Sequence, residues 1–161
     1  MVGTDIRVPA AAMLDTDGGG FDPMIGVVLP MFAVPSASCS MSIMGASLGR
    51  AIAQINSGKF EHLGSVLADL PTIRAYVARA RLKTDMVRSL RDDTVTALAA
   101  NRADAMLRVM EVKVAASEAA LEVTDIAIRI CGGAAFRKET GIERFFVSVR
   151  NPPPCERGDA A

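Results

Sequence analysis

Asp104-Ala-Met-Leu-Arg-Val-Met-Glu-Val-Lys-Val-Ala-Ala-Ser-Glu-Ala-Ala-Leu-Glu-Val-Thr-Asp-Ile-Ala-Ile-Arg-Ile-Cys-Gly-Gly133 decides the fold. From Asp104 to Cys131 there is neither proline nor glycine, and the run stops at a glycine pair. Its apolar residues recur three, four or seven apart, which predicts a helix about 40 Å long at 1.5 Å per residue. Leu107, Met110, Val114, Leu121 and Ile128 form one apolar stripe. Val112, Ala116, Ala119, Val123, Ile126 and Ile130 form another. Two stripes predict burial on two sides, so this helix is expected between neighbours.

Working outward, Asn101-Arg-Ala-Asp104 is a short turn, so the preceding helix is antiparallel to this one. That helix opens at Asp69-Leu-Pro71, where Asp can cap free N–H groups and Pro suits the first turn, and runs to about Ala100. Ile73, Val77, Ala80, Thr84, Val87, Thr94 and Leu98 make its inner stripe. Arg74, Arg81, Asp85, Arg88 and Asp92 make a charged stripe, read as a solvated face. An earlier helix starts at Asp22-Pro23. Pro30 and Pro35 are expected to kink or interrupt it, leaving regular helix from Ser36 to Asn56. Ser57-Gly58 ends it, and residues 58 to 68 form a connection. Beyond Gly133 a short helix runs from Gly141 to about Arg150.

The expected architecture is all-α: an up-down helical bundle of three long helices plus a short C-terminal helix, spanning 22–150. Residues 1–21 are read as an extended tail and 151–161, with three prolines, as a disordered one.

The chain has 161 residues, 50% hydrophobic and 22% charged, enough for a single packed core. Aromatics are 4% and Trp is absent, so alanine and methionine fill the interior and favour closely packed helices. Eighteen basic residues balance eighteen acidic ones. A neutral chain has no electrostatic reason to bind nucleic acid, and neutrality favours self-association, so a homo-oligomer is expected. From Pro23 to Gly49 no residue is charged, a length sufficient to cross a bilayer. Three prolines, three glycines, a serine cluster and the acidic flank Asp15, Asp17 and Asp22 favour instead a helix of a soluble bundle, with no membrane partner. The N-terminus lacks the basic-then-apolar pattern of a signal peptide. Cys39, Cys131 and Cys155 are odd in number and widely spaced, which fits a cytoplasmic location better than a disulfide framework.

Chemistry-bearing residues are sparse. His62 is the only histidine, so no histidine-based metal site is expected. The serines have no histidine base nearby. Cys131 sits at a helix C-terminus, whose negative dipole end disfavours a thiolate, and is read as a small core residue. No catalytic residue is assigned.

Several segments, in order, resemble the C-terminal helical domain of acyl-CoA dehydrogenases. Asp5-Ile-Arg-Val-Pro9 is similar to the end of that family's middle β-domain. Phe60-Glu-His-Leu-Gly64 followed by Leu67-Ala-Asp-Leu-Pro71 resembles the segment between the first two long helices. Met110 to Ala120 resembles the start of the third. Arg129-Ile-Cys-Gly-Gly-Ala-Ala-Phe136 with Glu143-Arg144 resembles the Gln-x-x-Gly-Gly-x-Gly-aromatic, Pro-x-Glu-Arg motif. The resemblance implies α,β-oxidation of acyl-CoA thioesters, in which a carboxylate takes an α-proton and hydride passes from the β-carbon to the N5 atom of FAD. It implies that this domain forms one wall of the flavin and acyl pocket and builds an oligomer. It also implies that Gly132 and Gly133 approach the flavin nucleotide of a neighbouring subunit, where a missing Cβ allows close contact.

The departures carry their own implications. Phe60 stands where the family has an arginine on the FAD pyrophosphate, which leaves Lys59 as the adjacent cation, a point charge in place of a bidentate fork. Arg129 stands where glutamine is usual, Ala135 replaces the third glycine and Gly141 the proline. The resemblance thus puts Lys59, Arg129, Gly132 and Gly133 forward as cofactor contacts. Val147-Ser-Val-Arg150 gives way to a proline-rich tail where the family continues through another helix that often carries the catalytic glutamate. The expectation is a truncated or frameshifted chain, inactive alone. The alternative is a non-catalytic helical module docking with a separately encoded flavoprotein partner.

Overall fold

The computed structural model describes residues 7, 9–13, 16, 18–57, 59–60 and 64–150, with the side chains of Lys59, Phe60 and Ser65 outside the description. The tail 151–161, including Cys155, and His62 lie outside the described residues.

The expected helices are present; the last three lie within about a residue of their expected ends, and the first is regular from Leu29 rather than Ser36. A short turn, α1 (Phe21–Pro23), passes through a π-helical stretch (Met24–Val28) into α2 (Leu29–Ser57). Two-residue strands β1 (Lys59–Phe60) and β2 (Ser65–Val66) pair antiparallel. Then come α3 (Pro71–Ala99), α4 (Ala105–Cys131) and α5 (Ile142–Arg150). Within the expected extended tail, Ala10–Ala12 make a 3-10 turn, and Phe21 is already helical.

Pro30 and Pro35 do not break α2 as expected. Pro30 has no N–H for the Gly26 carbonyl, and it follows directly on the π-helical turns, which loosen that part of the hydrogen-bond ladder. Pro35 frees the Met31 carbonyl, but both residues are exposed, so water satisfies it. Asp22 does not cap the helix start; the N-cap is Gly20, with no side-chain cap. Asp69 does not cap α3 either. Its carboxylate accepts the Val66 N–H at 3.0 Å and so closes the preceding 3-10 turn (Leu67–Asp69).

The bundle is up-down. Lys83 of α3 pairs with Glu122 of α4, while Thr94 reaches the Arg108 carbonyl near the hairpin, so these helices are antiparallel. Ile55, late in α2, and Ile73 and Val77, early in α3, line one cavity, so α2 and α4 run parallel. The core lies between α2 and α4, closed by α3. Ala37, Met41, Met44, Leu48, Ala51 and Ile55 face Val112, Ala116, Ala120, Val123 and Ala127. Alanines on both sides let the helix axes approach toward the short end of the 8–10 Å range. The buried hydroxyls of Ser47, Thr84, Thr94 and Thr124 donate to carbonyls three or four residues back, so none is left unsatisfied.

The second stripe of α4 corrects the sequence reading. Leu107, Met110, Val114 and Leu121 are 37–57% exposed. Ile128, the last member of that stripe, is half-buried and packs against the core; the Val112–Ile130 stripe is the fully buried one, because α2 and α3 both pack on that side.

The α3–α4 turn is locked by charge. Asn101 takes φ 48°, a left-handed helix stop that asparagine tolerates. Arg102 donates to both Asp93 (2.8 Å) and Asp104 (2.7 Å), and Arg108 to Asp104 (3.1 Å) and Glu111 (3.0 Å). The Arg102 hydrogen bonds hold the Asp93 and Asp104 carboxyls below the usual carboxylate range. A carboxyl whose folded pKa is depressed stabilises the fold above its unfolded pKa, about 3.9, and loses that contribution as pH falls through the folded value. Asp104→Asn therefore lowers the melting temperature at pH 7. Its gap to the parent chain narrows below about pH 4, where the parent's own carboxyl takes up a proton. Thermal melts of both chains from pH 7 to pH 2 check this; a gap that stays constant or widens on acidification contradicts it.

Candidate functional site

The end of the bundle that carries the C-termini of α2 and α4 gathers the residues singled out in the sequence. α4 stops at Cys131 because Gly132 turns the chain at φ 55°, ψ −136°, with its N–H donated to the Ile128 carbonyl. Few residues but glycine adopt that backbone. The chain then forms a 3-10 turn (Gly132–Phe136) and reaches Thr140. The Thr140 hydroxyl is within hydrogen-bonding distance of the Arg137 carbonyl (2.8 Å) and the Ala134 carbonyl (3.1 Å), so one side chain folds the loop onto itself. Arg50 of α2 donates to the Thr140 carbonyl at 3.0 Å and lies 5.3 Å from the Phe145 ring centre. Gly141 follows at φ 60°, and a Cβ there would collide with the Arg50 guanidinium. α5 begins after it, at Ile142, which is fully buried. Sequence reading missed Arg50 altogether. It is one charge on an otherwise uncharged helix, and only the fold brings it to a loop ninety residues away.

Gly132 and Gly133 are both exposed, and a Cβ added to either would meet nothing within 4 Å. Among the described residues nothing crowds them. Gly132 is required by its backbone angle. Gly133 has no positive φ, so packing among the described residues does not explain its glycine.

Arg129 is one turn before the loop. It donates to Asp125 at 2.7 Å and is held protonated above its ordinary range mainly by that bond, with Tyr76 a smaller contributor. Asp125 also receives Arg150 at 3.8 Å, whose guanidinium stacks 3.7 Å from the Phe146 ring centre. The backbone of Lys59 pairs with Val66 just beyond α2, at the same end of the bundle; its side chain lies outside the described residues. Cys131 is buried, its thiol pointing to the Ala51 carbonyl at 3.9 Å, and burial pushes its pKa up to about 11. A thiol held protonated in this way is a poor nucleophile.

A flavin dinucleotide can be tested against this arrangement. The open space over two glycines suits the close approach of a flat or extended ligand. The C-terminal end of α4 is the negative end of its dipole, which opposes phosphate. Arg129 supplies the compensating cation, shared with Asp125. The loop therefore fits the base or ribose of a nucleotide more readily than its phosphates.

Comparison with known proteins gives one family. The chain matches the acyl-CoA dehydrogenase C-terminal domain over residues 18–154. It is 29% identical over 141 residues to cyclohex-1-ene-1-carbonyl-CoA dehydrogenase of Syntrophus aciditrophicus (strain SB), covering 88% of this chain and 33% of that protein. It is 28% identical over 148 residues to acyl-CoA dehydrogenase family member 11 of Gallus gallus, covering 91% of this chain and 18% of that protein. The chain thus spans about a third or less of the length of these relatives.

Proposed function

The chain belongs to the acyl-CoA dehydrogenase family, matching its C-terminal domain, and on that premise we propose that it is the helical scaffold of a flavin-dependent oxidation of acyl-CoA thioesters. Its role there is to supply one wall of the flavin pocket and a surface for homo-oligomerisation in the cytoplasm. The supporting observation is the glycine pair at the end of α4, exposed and uncrowded where the sequence motif falls. Gly132 and Gly133 would admit the nucleotide half of FAD, with Arg129 and Lys59 as flanking cations. FAD, when bound, accepts the hydride. This chain's residues would position and shield it, and no residue of the described chain is assigned as the base.

A cofactor wall is not a cofactor site, because flavin chemistry needs the group held and enclosed. The purified chain is expected to retain no FAD and to show no acyl-CoA dehydrogenase activity. Absorbance near 450 nm during purification checks this; flavin near one equivalent per chain refutes it.

One observation favours the second reading, a docking module for a separately encoded flavoprotein partner. Phe21, Met24, Val27, Val28, Met31 and Phe32 are all exposed around the first turns of the long helix. Only 22% of the most apolar window of this helix, Phe21–Ser57, is buried, and its length and composition also suffice for a membrane span. An apolar surface of this kind is a docking face rather than a solvated one. Purification from the native host separates the readings: a stoichiometric yellow partner supports the module, and recovery of this chain in the membrane fraction refutes both.

A further inference from the structure

Two adjacent residues of α2 reach the two ends of the loop that joins α4 to α5. At the near end the Cys131 thiol points to the Ala51 carbonyl, and both residues are buried. At the far end the Arg50 guanidinium donates to the Thr140 carbonyl at 3.0 Å. We propose that Arg50 is a positioning residue, a clasp that holds this loop in the shape in which Gly132 and Gly133 face a nucleotide. This role rests on the nucleotide-facing reading of the loop above and adds what holds the loop there.

Three observations make Arg50 the clasp. The first is how the loop is otherwise held. Ala135 and Ile142 are buried in the core, but from Phe136 to Gly141 every residue is exposed or half-buried. The Thr140 hydroxyl lies within hydrogen-bonding distance of the Ala134, Ala135 and Arg137 carbonyls. The Arg137 and Thr140 amides donate to the Ala134 and Arg137 carbonyls. These bonds shape the loop without tying it to the bundle. Among the described residues, the Arg50 bond is the hydrogen bond that ties this end of the loop to α2. It acts on the glycines through Thr140, whose hydroxyl reaches the Ala134 carbonyl next to Gly133. The second is fit. Gly141 takes φ 60°, and the guanidinium fills the space that a Cβ there would need. The same guanidinium lies 5.3 Å from the Phe145 ring centre, a cation–π contact with the first turn of α5. The third is freedom. Arg50 borders an open cavity of about 530 Å³, lined also by Gln54, Ser57, Glu139 and Thr140. A displaced guanidinium swings into that space, so the clasp opens without disturbing the buried core.

Amide exchange measured by NMR on the full chain tests the clasp. The Arg137 and Thr140 amides, bonded within the loop, report on it. The Arg102 amide, bonded to the Ala97 carbonyl at the opposite end of the bundle, reports on the rest of the fold. Arg50→Gln removes one charge-assisted hydrogen bond and one cation–π contact, which shifts the loop's opening equilibrium about 25-fold and turns a mostly closed loop into a mostly open one. Exchange at Arg137 and Thr140 is then expected to quicken about fivefold, with Arg102 unchanged. Unchanged exchange at Arg137 and Thr140, or equal quickening at Arg102, overturns the clasp. Positioning is read by titrating ADP, the nucleotide half of FAD, and following the Gly133 amide. Because only the closed loop binds, Arg50→Gln raises the ADP dissociation constant about fivefold. Gly141→Ala displaces the guanidinium but keeps its charge, and is expected to weaken ADP by a similar factor. Unaltered ADP affinity in both variants makes Arg50 a structural residue and overturns the positioning role. Weakening by Arg50→Gln alone means that the guanidinium touches the nucleotide itself, which overturns the role as well. A parent chain whose Gly133 amide does not respond to ADP overturns the nucleotide reading of the loop, and the exchange rates still decide the clasp.

Discussion

Met44→Ala lowers the stability of the bundle by about 3 kcal/mol, a fall in melting temperature of about 6–12 °C for a chain of this size. Met44 is fully buried and is, with Ile142, among the largest fully buried side chains of the described residues. It belongs to the core between α2 and α4, many of whose buried residues are alanines. Alanine side chains cannot reorient to fill a void, and helices already in close contact cannot move together. The cavity left by the mutation therefore stays open, and its cost adds to the lost burial. Met44→Leu conserves volume and is expected to cost less than about 1.5 kcal/mol. Thermal melts of the two variants decide the matter. A loss below about 2 °C for alanine would mean that the α2–α4 interface is not the rigid core described above.

Gly132→Val is expected to cost about 3 kcal/mol, and Gly133→Ala less than about 0.5 kcal/mol. At φ 55° and ψ −136° a β-branched side chain clashes with its own backbone, so Gly132→Val must either strain the α4 cap or unwind it. Unwinding would pull on the Thr140 lock and on the buried Ile142 of α5. Gly133 carries neither constraint. The pair separates structure from function. If the loop meets a nucleotide in a flavin-loaded assembly, Gly133→Leu weakens FAD binding there by at least tenfold while leaving the melting temperature of the isolated chain in place. Equal losses of stability at both glycines would show that Gly133 too is a folding residue.

The helices were legible because their signals are local. An apolar spacing of three and four, glycine at the C-termini of α2 and α4 and proline in the first turn of α3 act within a few residues. The all-α bundle follows from them directly. The family resemblance was legible for the same reason, since it rests on short contiguous motifs, and the match over residues 18–154 bears it out. What was misread turns on local geometry that residue type and spacing leave open. Pro30 and Pro35 read as helix breakers, yet a π-helical turn and open solvent absorb them. Asp22 and Asp69 read as caps, yet neither caps the helix assigned to it. The short strands between α2 and α3 give no periodic signal, being two residues each.

By itself the sequence determined that this chain forms helices, how many, and which residues on each are apolar. Local propensity and spacing are enough for that. Only the tertiary structure decided which apolar stripe is core. α4 carries two stripes of similar hydrophobicity, and α2 and α3 both pack against the one rich in alanine and valine, whose small side chains permit close approach. The stripe of Leu107, Met110 and Val114 was left outward. In the same way the Arg50 contact with Thr140 exists only because α2 and α4 run parallel and end together. Periodicity measures how apolar a face is, but not what lies opposite it, and that is set by contacts between residues far apart in the chain.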